Sequence, residues 1–274
     1  MCIVDTSAKQ SKENDGISVK KTSSFPTSGV ILKGLYVILT YLCVMMVLWI
    51  LVLPASWKMG HSETHDRFIR EEMFHESKRD EMPVPIETIT KYAGHSAVQF
   101  SHILPGAFWA GAIPFQLNPY VRKNFRTVHR RMGYLFVATS LLMTVGIFLI
   151  EWRGLSFHVH DCPDLPPKEI MGGRFMLPLL GFYFAFTALW ATVKAIQKDF
   201  VTHQRYIIRH VSSGIWVALQ RLFVGFSKGR SRHDMREAFT NGVYVGVFLS
   251  FAAGELAIYL IQKSNTKKQI KKKE

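Results

Sequence analysis

The chain has 274 residues, 48% of them hydrophobic, and a formal net charge of +14 at pH 7. Length alone would allow one or two soluble domains, but the apolar residues gather into long runs and the charges fall between them. That pattern excludes an ordinary soluble fold. With no DNA- or RNA-binding motif beside it, the positive charge points to the bilayer and its anionic head groups, not to nucleic acid.

A helix rises about 1.5 Å per residue, so about 20 apolar residues cross a hydrocarbon core of about 30 Å. Residues 1–29 are polar, rich in Ser and Lys, and contain Asp5, Glu13 and Asp15, which argue against a mitochondrial transit peptide. They read as a disordered tail. A first span covers about 30–53 and ends at Pro54, with Lys33 near enough to its start to snorkel. Residues 55–92 form an extramembrane loop with a charged, helix-like patch from His61 to Glu81. A second span at 93–117 leads through a basic turn, NPYVRKNFRTVHRR, into a third at 132–150. A short loop then carries His158, His160 and Cys162 before a fourth span at 175–196. After a second basic turn come a fifth span at 206–226, a short charged loop and a sixth span at 241–261. Residues 263–274 are a basic tail. The expected fold is all-α: a polytopic membrane domain of six transmembrane helices over 30–262.

The positive-inside rule orients it. Lys20, Lys21, Arg122, Lys123, Arg126, Lys194, Lys198 and the terminal lysines fall on one side, which is then cytosolic. Lys228, Arg230, Arg232 and Arg236 dissent, diluted by Asp234 and Glu237. The chain ends KKKE, so Lys271 and Lys272 match a dilysine retrieval signal of endoplasmic-reticulum membrane proteins, or else a basic tail that touches anionic lipid. Cys2, Cys43 and Cys162 are too scattered for a zinc site or a disulfide framework.

The two basic turns resemble one another. Residues 123–132 read KNFRTVHRRM and residues 198–206 read KDFVTHQRY, which align with one gap at Val128. This predicts a duplicated hairpin turn with His129 and His203 at the same membrane face. Two histidines of equal depth on separate helices meet the requirement for axial ligation of one b-type haem. They also suit a metal ion, a proton relay or a plain interfacial anchor. Arg130, Arg131, Arg205 and Arg209 lie close enough in sequence to bind propionates or a phosphate. A second haem lacks ligands, because His102 has no histidine opposite it in the outer half of spans four to six.

Ionisable groups within spans need a partner, a cavity or a route to the interface. Arg209 lies six residues past His203 and Glu255 eight before Lys263, depths of about 9 and 12 Å, so an Arg209–Glu255 pair is expected. His102 and Arg221 share a depth near the opposite face. His95, one heptad before His102, extends a polar stripe that lines a cavity or bonds a neighbouring helix. Pro105 leaves the Ser101 carbonyl without its helical partner. The His158–His160–Cys162 loop and His61, His65 and His75 are assigned no role.

Three ordered elements are similar to a family of predicted integral membrane proteins known only as a domain of unknown function. They are His102-Ile-Leu-Pro-Gly, His129-Arg-Arg-Met-Gly, and Thr-His203-Gln-Arg-Tyr-Ile-Ile-Arg209, with Arg221 beyond them. The resemblance covers about 95–225 and rests on H-R-x-x-G and H-R-R-W-M-I-R elements; Gln204, Tyr206 and His210 depart from it. It implies a multi-helix membrane architecture and no reaction.

Nucleotide loops, nucleophile–base triads and zinc motifs are absent from the sequence, which argues against a kinase or hydrolase. Three function classes remain. One is a redox protein with haem between His129 and His203. Another is a transporter or lipid-handling protein whose path is lined by His102, Arg209, Arg221 and Glu255. The third is a structural or interaction protein of the endoplasmic reticulum.

Overall fold

A computed structural model describes residues 28–52, 55–73, 86–155, 173–227 and 232–270. Among these residues all regular structure is helical. Six long helices carry the fold: α1 (Ser28–Leu51), α2 (Leu104–Leu117), α3 (Arg126–Trp152), α4 (Gly173–Ile196), α5 (Phe200–Phe226) and α6 (Arg232–Ile270). They pack as a ring in chain order, α1 on α2 through to α5 on α6, and α1 closes it by touching both α5 and α6. Core residues come from five of the six, including Cys43, Trp109, Ile113, Phe136, Phe184 and Ile215.

Four segments, Gly29–Lys58, Arg126–Trp152, Met176–Ile196 and Glu237–Thr266, are long and apolar enough to cross a membrane. Their outward faces carry exposed side chains such as Val37, Leu179 and Phe248, as lipid contact requires. The six-span expectation is met by four helices on these criteria. α5 is diluted by the charged and polar side chains it buries, and α2 is short because a π-helical turn, Gln99–Ile103, precedes it. The cause of that turn is local. Pro105 has no N–H to give the α-helical ladder, and the chain takes up the defect just before it.

Helix ends differ from the expected ones for a simple reason. Lys, Arg and His do not break helices, so the basic stretches belong mostly to helix starts. His129 lies in the first turn of α3 and His203 in the first turn of α5. The two connections also have different backbones. A short helix, Pro119–Asn124, sits between α2 and α3, whereas α4 and α5 are joined by residues 197–199 alone. There Lys198 adopts a left-handed conformation (φ 61°), and the Asp199 N–H returns to the Lys194 carbonyl, which closes the end of α4. Asp199 then caps α5 by accepting from the Thr202 N–H at 3.1 Å. The Thr202 hydroxyl and N–H hold the Asp199 carboxyl below the usual carboxylate range.

The loop before α2 has its own core. Met59, Ile69, Ile86 and Ile89 are buried together, and Gln99 ties them to the bundle. Its amide nitrogen donates to the Met59 carbonyl at 2.7 Å, and its oxygen accepts from His61 Nε2 at 2.8 Å. His61, given no role from sequence, is a strut.

The α5–α6 seam depends on small residues. A Cβ at Gly246 would lie 2.7 Å from the Trp216 carbonyl oxygen, and one at Gly242 would lie 3.2 Å from the Gln220 side chain. Glycines spaced in this way let two backbones approach. Replacing Gly246 with Leu should force the helices apart and lower the melting temperature in detergent by several degrees or prevent folding. Gly225→Ala, where a Cβ meets nothing within 4 Å, should leave it unchanged. Equal melting temperatures for both variants would show that the seam does not hold the bundle.

Candidate functional site

His210 occupies the centre of the bundle with no exposed surface. Its Nδ1 lies 3.0 Å from the Phe184 carbonyl, which can only accept, so Nδ1 carries the hydrogen. Nε2 then accepts from Trp109 Nε1 at 3.1 Å and lies 2.9 Å from Ser140 Oγ. The imidazole is therefore neutral, and it joins α2, α3, α4 and α5. The rings of Phe184, Phe136 and Trp109 surround it at centroid distances of 4.1, 5.4 and 5.9 Å. Gly214, one turn further along α5, makes room for Trp109, whose ring would meet a Cβ there at 2.5 Å.

His203, one heptad before His210, repeats the contact. Its Nδ1 donates to the Ala191 carbonyl at 2.8 Å. Ala191 is one heptad beyond Phe184 on the antiparallel α4, so two histidines of one helix reach two equally spaced carbonyls of its neighbour. Sequence reasoning singled out His203 and passed over His210, although the seven-residue spacing was there to find.

His129 lies at the basic end of the bundle, with Arg122 and His203 in electrostatic reach. Its carbonyl accepts from Gln116 Nε2 at 3.2 Å, while its Nδ1 is buried without a partner. Arg205 Nε is likewise buried and unpartnered, and Arg130 and Arg131 are exposed. Among the described residues no group of three or more His, Cys, Asp or Glu side chains converges. His158, His160, Cys162, Cys2 and His75 lie outside the described residues.

Arg209 and Glu255 meet across α5 and α6. The Arg209 Nε donates to Glu255 Oε1 at 2.6 Å and Nη2 to Oε2 at 3.1 Å, a bidentate geometry. The pair sits on the outer side of the bundle, with side-chain exposures of 30% and 52%.

At the end away from the basic turns, all six helices, with Ser56, Lys91 and Tyr92 of the preceding loop, line a partly open cavity of about 270 Å³. His102 and Arg221 both line it; Arg209, Glu255, His129 and His203 do not. The four polar residues expected along one path thus divide into a cavity pair and an outward ion pair. His102 Nδ1 donates to the Met143 carbonyl at 3.1 Å, which fixes the ring between α2 and α3. His95 does not extend a stripe with it. It precedes the helix, with φ −103° and ψ 58°, and its Nδ1 accepts from Arg153 at 3.3 Å. The rest of the lining is mainly apolar, with Trp49, Trp109, Ile147, Leu180 and Phe184 among its walls.

Compared with known proteins, the chain matches no family model, no curated protein and no solved structure.

His210→Leu keeps the volume and deletes the node, orphaning Trp109 Nε1 and losing the tie to Phe184. Each buried group left unpaired costs about 1–3 kcal/mol, so unfolding in detergent should show a loss of about 2–4 kcal/mol. A Leu variant as stable as the parent would deny His210 a structural role.

Proposed function

We propose that the protein is an integral membrane protein that holds a hydrophobic small molecule in its intramembrane cavity, as a transporter or lipid-handling protein does. One observation carries this reading: a largely apolar cavity lined by all six helices, with a minority of polar groups among them. Binding sites commonly have this composition. We read six spans, because α5 has 27 residues and the helical turns that begin at Ser96 run on into α2, which ends at Leu117.

The test is direct, because Trp49, Trp109 and Trp216 line the cavity. A bromine-tailed single-chain amphiphile added to the protein in lipid nanodiscs should quench their fluorescence saturably. Val217→Trp, which fills the cavity, should weaken binding at least about tenfold, or about 1.4 kcal/mol, with the fold retained on gel filtration. Non-saturable quenching, unchanged by the variant, would rule the reading out.

A second reading, one b-type haem between His129 and His203, has its own support. A metal-bound imidazole usually donates its other N–H to a carbonyl or carboxylate. His203 does so to Ala191, leaving Nε2 with its lone pair, and His129 Nδ1 is buried and unpartnered. These donors suit a haem iron, which would supply one-electron chemistry. A Soret band in the purified protein, lost in His129→Ala and in His203→Ala, is the expected result. A colourless protein from haem-supplied cells would end this reading and leave the cavity one standing.

A further inference from the structure

Among the charged groups that line the cavity, Lys91, Glu151 and Arg221, one guanidinium is set among aromatic rings. Arg221 lies near the far end of α5, and its Nη1 donates to Gln220 Oε1 at 2.8 Å. Gln220 is itself committed, its Nε2 donating to the Phe239 carbonyl at 3.2 Å. Arg221 Nε is buried with no partner. The guanidinium lies 5.8 Å from the Trp49 ring and 5.3 Å from the Phe239 ring. Aromatic faces offset part of a cation's charge, and a glutamine oxygen satisfies one donor of the five that arginine carries. Neither supplies a full negative charge. Among the described residues no carboxylate is paired with Arg221. Arg221 as a whole is half-buried, and a cation withdrawn from water without a counter-charge costs more than a paired one.

The lining below it is of another kind. Gly214 is seven residues before Arg221 on α5, about 10 Å along the axis. At that level the cavity is bounded by Trp109, Phe184 and Gly181, with Val217 and Ile147 between. The polar side chains of the lining include Arg221, His102, Lys91, Tyr92 and Glu151, whereas the level of Gly214 is aromatic and aliphatic.

Resting on the cavity reading above, we propose that the ligand is a single-chain amphiphile with an anionic oxygen head, a carboxylate or phosphate, that the head bonds the Arg221 guanidinium, and that the chain runs toward Trp109 and Gly214. The head would meet the free Nε and the remaining terminal N–H groups in the forked geometry that arginine offers oxyanions. The Trp49 and Phe239 rings would exclude water from that contact.

The experiment compares probes that share one tail. Bromine-tailed dodecanoate, dodecyl phosphate and dodecanol are titrated into the full-length protein in nanodiscs of zwitterionic lipid at pH 8, with tryptophan quenching as the readout. The two anions should bind about 10- to 100-fold more tightly than the alcohol, the worth of a charge-assisted hydrogen bond. Preference for one anion over the other identifies the head. Arg221→Gln should bring acid and alcohol together, and Arg221→Lys should keep part of the preference. Equal binding of acid and alcohol by the parent protein would overturn the proposal, and that comparison needs no variant to fold. A preference that survives Arg221→Gln would overturn it as well. Binding of none of the three probes would remove the cavity reading itself, and this inference with it.

Discussion

The bundle depends on the bonds of one neutral imidazole. In lipid, van der Waals packing brings apolar helices together but leaves several rotations and registers of similar energy. Within each helix the backbone already satisfies itself, so the scarce polar side chains are the directional contacts left to make that choice. His210 makes it for four helices. Its Nδ1–H fixes α5 against a carbonyl of α4, and its Nε2 draws Trp109 from α2 and Ser140 from α3. Gly214 is a consequence of the same geometry, because an indole bonded to His210 needs the space a side chain would fill.

From that node α5 reads as the axis of the protein. His203 and His210 set its register on α4, and Gly242 and Gly246 of the partner helix set its distance from α6. The two ends of the bundle then differ in kind. One holds the histidines and arginines of the helix starts, of which His203 ties α5 to α4. The other holds the cavity, where the helices diverge enough to leave space between Trp109 and Arg221.

What the sequence made legible follows from the range of each force. Long apolar runs are local, so the segments around 30–53, 132–150, 175–196 and 241–261 were visible as lengths of chain. Matched depth is nearly local, and Arg209 and Glu255 could be paired by counting residues along two helices. Helix starts were misjudged because basic residues resemble a turn in composition while costing a helix little; only Lys198 and Asp199 carry the reversal. His210 and Gln99 were missed for the opposite reason. Their partners lie 23 to 101 and 38 to 43 residues away, and nothing in one chain's periodicity names them. His95 was placed on a helical face that the chain reaches only one residue later.

The two arginines of α5 bring these points together. They sit on one helix, twelve residues apart, and face the same cost of placing a guanidinium among apolar helices. At Arg209 the fold answers with a carboxylate on α6 in bidentate contact. At Arg221 it provides a glutamine oxygen of α5 and the faces of aromatic rings from α1 and α6. A bundle able to supply a carboxylate at the first position is not barred by its architecture from supplying one at the second. The paired arginine lies on the outer side, and the arginine that pairs with no carboxylate among the described residues, not even with the Glu151 of the same lining, faces the cavity. That distribution is the one expected if the missing charge arrives with the molecule the cavity holds.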